Sequence, residues 1–358
     1  MTIYRNPDFR RLPVGLAAIF DGGASGSFFS LPGWYDLMAR HGVSKGTEIR
    51  AYAAERPGAG TAILVQTVVE EPGCRLASLT NAHSLEHCVL SAKHSDIGAG
   101  LAAAVSEICS ERPHWDRLTL SELDPREPSY PRLAEALRAA GLLVEYSFSS
   151  GTWYEETVGM NFADYLADRP SQLRNTWRRK RRSLERSLRL TKRFVGHDMG
   201  IDEAIGHYQT IYEESWKPPE FFPDFVPGLM RLADELGALR LGLYFVDGRP
   251  AAAQFWIVWN RRAVICKLAH DRRFDELSLG TLLTMDMFER VLAEDRPLEI
   301  SLGRGDDPYK KLWLPKRRER WGIVAANPRT LRGLRFGLRR RAATVYHRLR
   351  RDRVAPFE

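Results

Sequence analysis

Apolar positions along this chain fall in short runs whose spacing switches between a period of two and a period near 3.6, the pattern of strands alternating with helices. A helix is expected from Tyr35 to His41, after Pro32, followed by strands over Ile49 to Ala54 and Ala62 to Val69. An amphipathic helix is expected over Leu101 to Cys109, a short strand over Leu118 to Leu120, a helix from Pro131 to Ala140 stopped by Gly141, and a strand over Leu142 to Phe148. That alternation predicts an α/β lobe covering 1–150, with a boundary at Ser149 to Thr152.

The second half opens with a helical stretch dense in arginine, Asp164 to Arg193, and a helix from Ile201 to Trp216. A proline-rich loop carrying Trp216, Phe221, Phe222 and Phe225 leads to a helix over Pro227 to Leu236. Two strands, Leu239 to Val246 and Ala251 to Val258, flank Asp247-Gly248, a strong hairpin signal because both residues tolerate positive φ. A third strand runs from Ala263 to Ala269, with His270 and Asp271 at its end. Ser278 is expected to cap a helix whose first turn holds Gly280 and Thr281 and whose apolar surface includes Leu282, Leu283, Met285, Met287, Phe288, Val291 and Leu292. A strand over Leu298 to Leu302 then breaks at Gly303 and Gly305. The expected divisions are 1–150, 151–328 and a basic tail, 329–358, in an α/β (α+β) protein without an internal repeat visible in the sequence.

With 358 residues, 44% of them hydrophobic and 27% charged, the chain reads as a globular protein with a full core. It holds no run of about 18 uncharged apolar residues, the length a membrane helix requires. The apolar piece from Leu12 to Phe20 is interrupted by Pro13 and Gly15 and ended by Asp21, unlike a signal peptide. Cys74, Cys88, Cys109 and Cys266 lie far apart without metal-ligand spacing, so we expect reduced thiols of a cytoplasmic protein and no metal. The net charge of +8 is concentrated in two blocks, Arg174 to Arg193 and Arg329 to Arg353, which call for acidic partners. In the first block Trp177, Leu184, Leu188 and Leu190 form an apolar stripe. In the second, Leu331, Leu334, Leu338, Val345 and Leu349 fall near helical spacing among arginines that include Arg348, Arg350 and Arg351, a basic interfacial pattern that fits an anionic membrane surface or a helix packed across a lobe. No recognised nucleic-acid motif accompanies either block.

Two places carry candidate chemistry. Gly303 and Gly305 release Asp306, Asp307, Tyr309 and Lys310 together at a strand end, where rigid backbone fixes reacting groups. The open helix start with Ser278, Gly280 and Thr281 is an anion site in outline, since free backbone N–H groups and the positive dipole end favour a phosphate. No P-loop, dinucleotide fingerprint or Ser/His/Asp or Cys/His nucleophile motif is present, which argues against a covalent intermediate.

The order strand, KLAHD, short loop, SLGT, long helix, strand, GDDPYKKLW resembles the FemAB/CelD-like branch of the GNAT superfamily of N-acyltransferases, over roughly Asn161 to Ala326. The resemblance implies tandem GNAT-like lobes, each a mixed, mostly antiparallel sheet flanked by helices. It implies an acyl-CoA donor whose pantetheine pairs along Lys267 and Leu268 and whose pyrophosphate sits at Ser278, Gly280 and Thr281. The common GNAT phosphate loop is richer in Arg and Gly, which leaves an acyl carrier protein or aminoacyl-tRNA open as donor. Acyl transfer to an amine needs a base, oxyanion donors and an acid for the thiolate. Asp306 is the expected base or else a turn cap, His270 an alternative base, Tyr309 the acid or a packed ring, and Lys310 the holder of an acyl oxygen, carboxylate or phosphate. Asp307 and Lys311 are expected in solvent, and the aromatic loop either walls a pocket or pins itself to the core. The implied activity is transfer from acyl-CoA to a primary amine of a cell-envelope precursor, an amino sugar or a long-chain amino lipid such as a sphingoid base, small or lipid-linked, at the inner face of the cytoplasmic membrane. An aminoacyl-tRNA-dependent transferase and a non-catalytic nucleic-acid- or membrane-binding adaptor remain the alternatives.

Overall fold

The computed structural model describes residues 1–352 except 24–25, 57–58, 70–72, 93–94, 188–189 and 197, and for 22–23, 56, 59, 69, 185–187 and 344–352 it describes the backbone alone. Contacts divide the chain into a first unit, Met1–Ser150 with Glu319–Glu358, and a second, Gly151–Arg318.

The first unit is built from β1 (Thr2–Arg5), α1 (Val14–Gly23), α2 (Pro32–His41), β2 (Ile49–Arg56), β3 (Ala59–Val69), β4 (Cys74–Ser78), β5 (Leu90–Ser91), α3 (Ile97–Ser110), β6 (Arg117–Leu123), α4 (Ser129–Ala139) and β7 (Leu143–Glu156) up to Ser150. Its core joins Tyr52, Ile63 and Val65 of the sheet to Leu101, Val105 and Ile108 of α3 and Leu133 and Leu137 of α4. Gly141, at φ +83°, ends α4 as the sequence suggests. β7 runs straight through the expected boundary at Ser149 to Thr152, because the strand pattern continues as SSGTWYEE and its two halves belong to different units.

The second unit continues with α5 (Phe162–Ala167), α6 (Ser171–Ser187), β8 (Leu190–Phe194), α7 (Ile201–Glu213), α8 (Phe225–Glu235), β9 (Leu239–Val246), β10 (Arg249–Trp259), β11 (Arg262–His270), α9 (Leu279–Glu294), β12 (Glu299–Ser301) and β13 (Lys316–Ala326), whose residues from Glu319 return to the first unit, as does α10 (Leu331–Asp352). The stretch Asp164 to Arg193 is therefore not one helix. Pro170 interrupts it, α5 starts at an Asn161/Asp164 capping box, and Leu190–Phe194 leaves the helix to pair with β9. Leu188 lies outside the described residues. α7 stops at Glu213, short of Trp216, and β13 was not foreseen. The hairpin between β9 and β10 turns on Asp247 (φ +48°) and Gly248 (φ +79°), as their sequence predicts. Ten residues of α9 between Leu279 and Leu292 are buried, so its buried residues cover most of its circumference rather than one stripe.

The two units share one topology. In the first, β1, β2, β3 and β4 pair antiparallel in succession and β6 lies parallel to β4, with α3 between them in the chain. In the second, β8, β9, β10 and β11 pair antiparallel in succession and β12 lies parallel to β11, with α9 between them. Each sheet is extended by a strand from far along the sequence, β13 beside β6 and β7 beside β12. Each unit thus carries a mixed, mostly antiparallel set of strands flanked by helices, as the resemblance implied.

Candidate active site

In the second unit β11 and β12 pair only over Arg262 to Val264 and Glu299 to Ser301. Beyond Ser301 the chain turns away, Leu302 N–H donating to the Trp153 carbonyl at 2.9 Å, while β11 runs on to His270. Among the described residues no strand covers this edge of Ile265–His270, although β10 pairs the opposite edge throughout. Cys266 is the extra residue of a bulge opposite Phe255 and Trp256, and burial pushes its thiol up to about 12. Lys267 and Leu268 stand on the open edge, where unpaired backbone N–H and C=O groups can accept an extended chain of amides.

The N-terminus of α9 follows this edge. Ser278 does not cap it with its side chain as expected. The residue takes left-handed geometry (φ +56°, ψ +40°), closes the tight turn Arg272–Leu277, and gives its carbonyl to Thr281 N at 3.0 Å and Leu282 N at 3.2 Å. No side chain caps this first turn, and an uncapped helix N-terminus suits an anion. Lys180 of α6 donates to the Glu276 carbonyl two residues upstream and adds positive charge there. In the corresponding helix of the first unit, α3, the Asp96 carboxylate accepts from Ala99 N at 3.1 Å and occupies that position with negative charge. Of these two helices, α9 is the one without a side-chain cap.

Gly280 packs against β11 so closely that a Cβ there would lie 3.3 Å from Leu268 Cδ2 and 3.5 Å from His270 Nδ1. His270 is held through Nε2, 2.9 Å from Asp275 Oδ1, and its ring centroid lies 4.5 Å from that of Trp216. Its Nδ1 is buried without a hydrogen-bond partner. The strand-end cluster is ordered differently from the sequence reading. Asp306 is gripped by Arg317, with Nε–Oδ1 2.7 Å and Nη2–Oδ2 2.6 Å, and Gly151 leaves room for its carboxyl. The hydrogen bonds from Arg317 hold that carboxyl below its usual range. Such a group is a poor proton acceptor, and His270 and Asp306 form no pair, because each has its own partner. Lys310 is buried and gives its ammonium protons to the carbonyls of Leu302 (3.1 Å), Arg304 (2.8 Å) and Gly305 (3.3 Å), so it shapes the loop rather than reaching for an acyl oxygen. Tyr309 is 56% exposed, and partial desolvation and Asp307 keep its phenol above its usual value and protonated at neutral pH.

Lys217 is the residue that sequence reading passed over. It is half-buried in the loop after α7, and burial followed by Lys267 lowers its amine to about 8, with Glu220, Lys310 and Asp307 also acting on it. Glu220 of the same loop forms an ion pair with Lys267, which fastens the aromatic loop to β11. Phe221 is exposed and Phe225 fully buried, so the loop is pinned at its α8 end. The only available signal was the location of a lysine among aromatics and prolines, where desolvation lowers its pKa. Among the described residues no group of three or more His, Cys, Asp or Glu side chains is placed to hold a metal.

Residues 171–311 match the family model of the acetyltransferase (GNAT) domain. None of the curated proteins compared matches the chain. FemX covers 91% of this chain and 97% of its own with a TM-score of 0.60 at 10% identity. The C-terminal domain of a putative lysylphosphatidylglycerol synthetase from Agrobacterium fabrum covers 94% of this chain and 96% of its own, with a TM-score of 0.55 and 14% identity. L-PGS from Bacillus licheniformis covers 90% and 93%, with a TM-score of 0.50 and 12% identity. At these identities the likeness is one of fold, and it spans both units. The open strand edge and the uncapped α9 lie within the residues that match the acetyltransferase (GNAT) domain, and the fold of the chain resembles that of FemX.

Proposed function

We propose that the protein is an N-acyltransferase that moves an acyl group from a CoA thioester to a primary amine of a cell-envelope precursor, an amino sugar or a long-chain amino lipid. The single observation that carries this reading is the pairing of a free β11 edge with an open α9 N-terminus: the first suits the amides of a pantetheine arm, the second its pyrophosphate. Backbone of Lys267 and Leu268 and the first turn at Ser278, Gly280 and Thr281 hold the donor in this account. The amine, freed of its proton by Lys217, attacks the thioester carbonyl, and the tetrahedral intermediate collapses as the C–S bond breaks. Tyr309 gives its proton to the departing thiolate and recovers one from the nitrogen as the neutral amide forms. Lys310 and the Asp306–Arg317 pair fix the loop that presents Tyr309.

A second reading, aminoacyl transfer from a tRNA carrier, is favoured by the fold shared with FemX and with lysylphosphatidylglycerol synthetase over both units. An acyl carrier protein would present the same pantetheine arm. The deciding experiment offers the protein acyl-CoAs of graded chain length with a panel of amino-sugar and sphingoid-type amines, and separately aminoacyl-tRNA with the same amines. Free thiol released in step with amide product supports the CoA reading. Deacylation of tRNA with no thiol release in any CoA reaction rejects it in favour of the second.

A further inference from the structure

We propose that α10 is a membrane-docking helix that seats the protein on an anionic lipid surface through one exposed face. At 100° per residue, Leu331, Arg332, Arg335, Leu338, Arg339 and Ala342 fall within about 120° of each other. Leu331 is 83% and Leu338 55% exposed, and Arg332, Arg335, Arg339 and Ala342 are exposed as well. The opposite face is occupied by the first unit. Gly333 is pressed against the Asn327 and Asp116 carbonyls and Gly337 against Leu143, so closely that a Cβ at either would collide. Arg340 bonds Glu145 at 3.0 Å, and Phe336 lies under the guanidinium groups of Arg117 and Arg340. Arg340 therefore fastens the helix, whereas Arg332, Arg335 and Arg339 have no ion pair among the described residues. The packed alternative raised by the sequence is satisfied by the glycine face and leaves two leucines in solvent.

Within the exposed face the residues are sorted. Leu331, Leu338 and Ala342 lie along one side and Arg332, Arg335 and Arg339 along the other, the division an interfacial helix needs to bury apolar groups at acyl-chain depth while its cations meet lipid phosphates. A nucleic-acid surface has no use for exposed leucines at that spacing, and charge complementarity selects an anionic membrane. No described helix is long and apolar enough to cross a bilayer, so this contact is a surface one. The side chains of Val345, Arg348, Leu349, Arg350 and Arg351 are not described and are not needed for the assignment.

The test is co-sedimentation of the full chain with phosphatidylcholine vesicles, with and without phosphatidylglycerol, for the wild type, for Arg332→Gln/Arg335→Gln/Arg339→Gln and for Leu331→Ser/Leu338→Ser. All five positions are exposed, and unchanged melting temperatures verify the fold. Binding is expected only with phosphatidylglycerol, to weaken as salt rises, to fall about 100-fold in the arginine variant, and to fall severalfold in the leucine variant. A wild type that ignores anionic vesicles but binds mixed tRNA overturns the proposal, as does a leucine variant that sediments like the wild type.

Discussion

Nε2 of His270 lies 2.9 Å from Oδ1 of Asp275, and this pairing leaves Nδ1 buried beside Gly280 at the start of α9. The imidazole is thus built into the junction of β11 and α9, where the proposed function places the donor. A group in that position acts on donor affinity more than on bond-making. His270→Gln should raise the apparent KM for the donor about tenfold while kcat changes less than threefold, and Asp275→Asn should do the same to a smaller degree. A kcat loss with an unchanged KM would assign His270 to the chemistry instead.

Lys217 gives the reaction a pH signature. Burial lowers its amine to about 8, so the neutral form that accepts a proton fills in as pH rises through that value. The rate kcat/KM should climb from pH 7 to pH 9 with a midpoint near 8, and Lys217→Met should lower the rate about 100-fold and remove that limb. A wild-type profile flat across this window, with an acceptor whose own amine titrates well above it, contradicts the role.

Tyr309 and Asp306 separate under mutation. Tyr309→Phe keeps the ring and deletes the acid, and should cost about 100-fold in turnover. Asp306→Asn only loosens the grip on Arg317 and should cost less than tenfold. Steady-state rates on purified variants with matched melting temperatures read this directly, and the reverse ranking would restore Asp306 as the base.

Stability of the second unit depends on a buried charge. Arg169 donates to Glu155 Oε1 at 2.8 Å, to the Tyr165 carbonyl at 3.1 Å and to the Trp313 carbonyl, tying β7 and α5 to the segment after Lys310. Both charged side chains are almost out of contact with water. Arg169→Met should destabilise the unit by about 3–5 kcal/mol in denaturant titration because Glu155 is left buried and unpaired, and adding Glu155→Leu should recover part of that loss.

How far the sequence spoke depends on how local each cause is. The β9–β10 hairpin was legible because Asp247 and Gly248 carry their turn geometry with them, and the end of α4 was legible in Gly141. β8 was hidden, since Leu190–Phe194 is a strand only through pairing with β9 some fifty residues on. The common topology of the units, and β13 beside β6, rest on partners far apart in the chain and left no repeat in the residues. In the site, Gly280 of α9 lies against Leu268 of β11, since strand, turn and helix follow one another directly. Ser278 does not cap α9 with its side chain because of a left-handed φ that the sequence does not reveal, and the Arg317 that pairs with Asp306 arrives on the far side of a turn. Lys217 looked like any loop lysine until the fold desolvated it.

The central claim, a CoA thioester held on β11 and the start of α9, is tested most directly by calorimetric titration of an acyl-CoA into the wild type and Gly280→Asp. Saturable binding to the wild type, weakened at least about tenfold in a variant that melts within a few degrees of it, is the predicted result, because the new carboxylate stands where the phosphates bind. No heat of binding for any acyl-CoA on the folded wild type, or equal affinity in the two proteins, would contradict it.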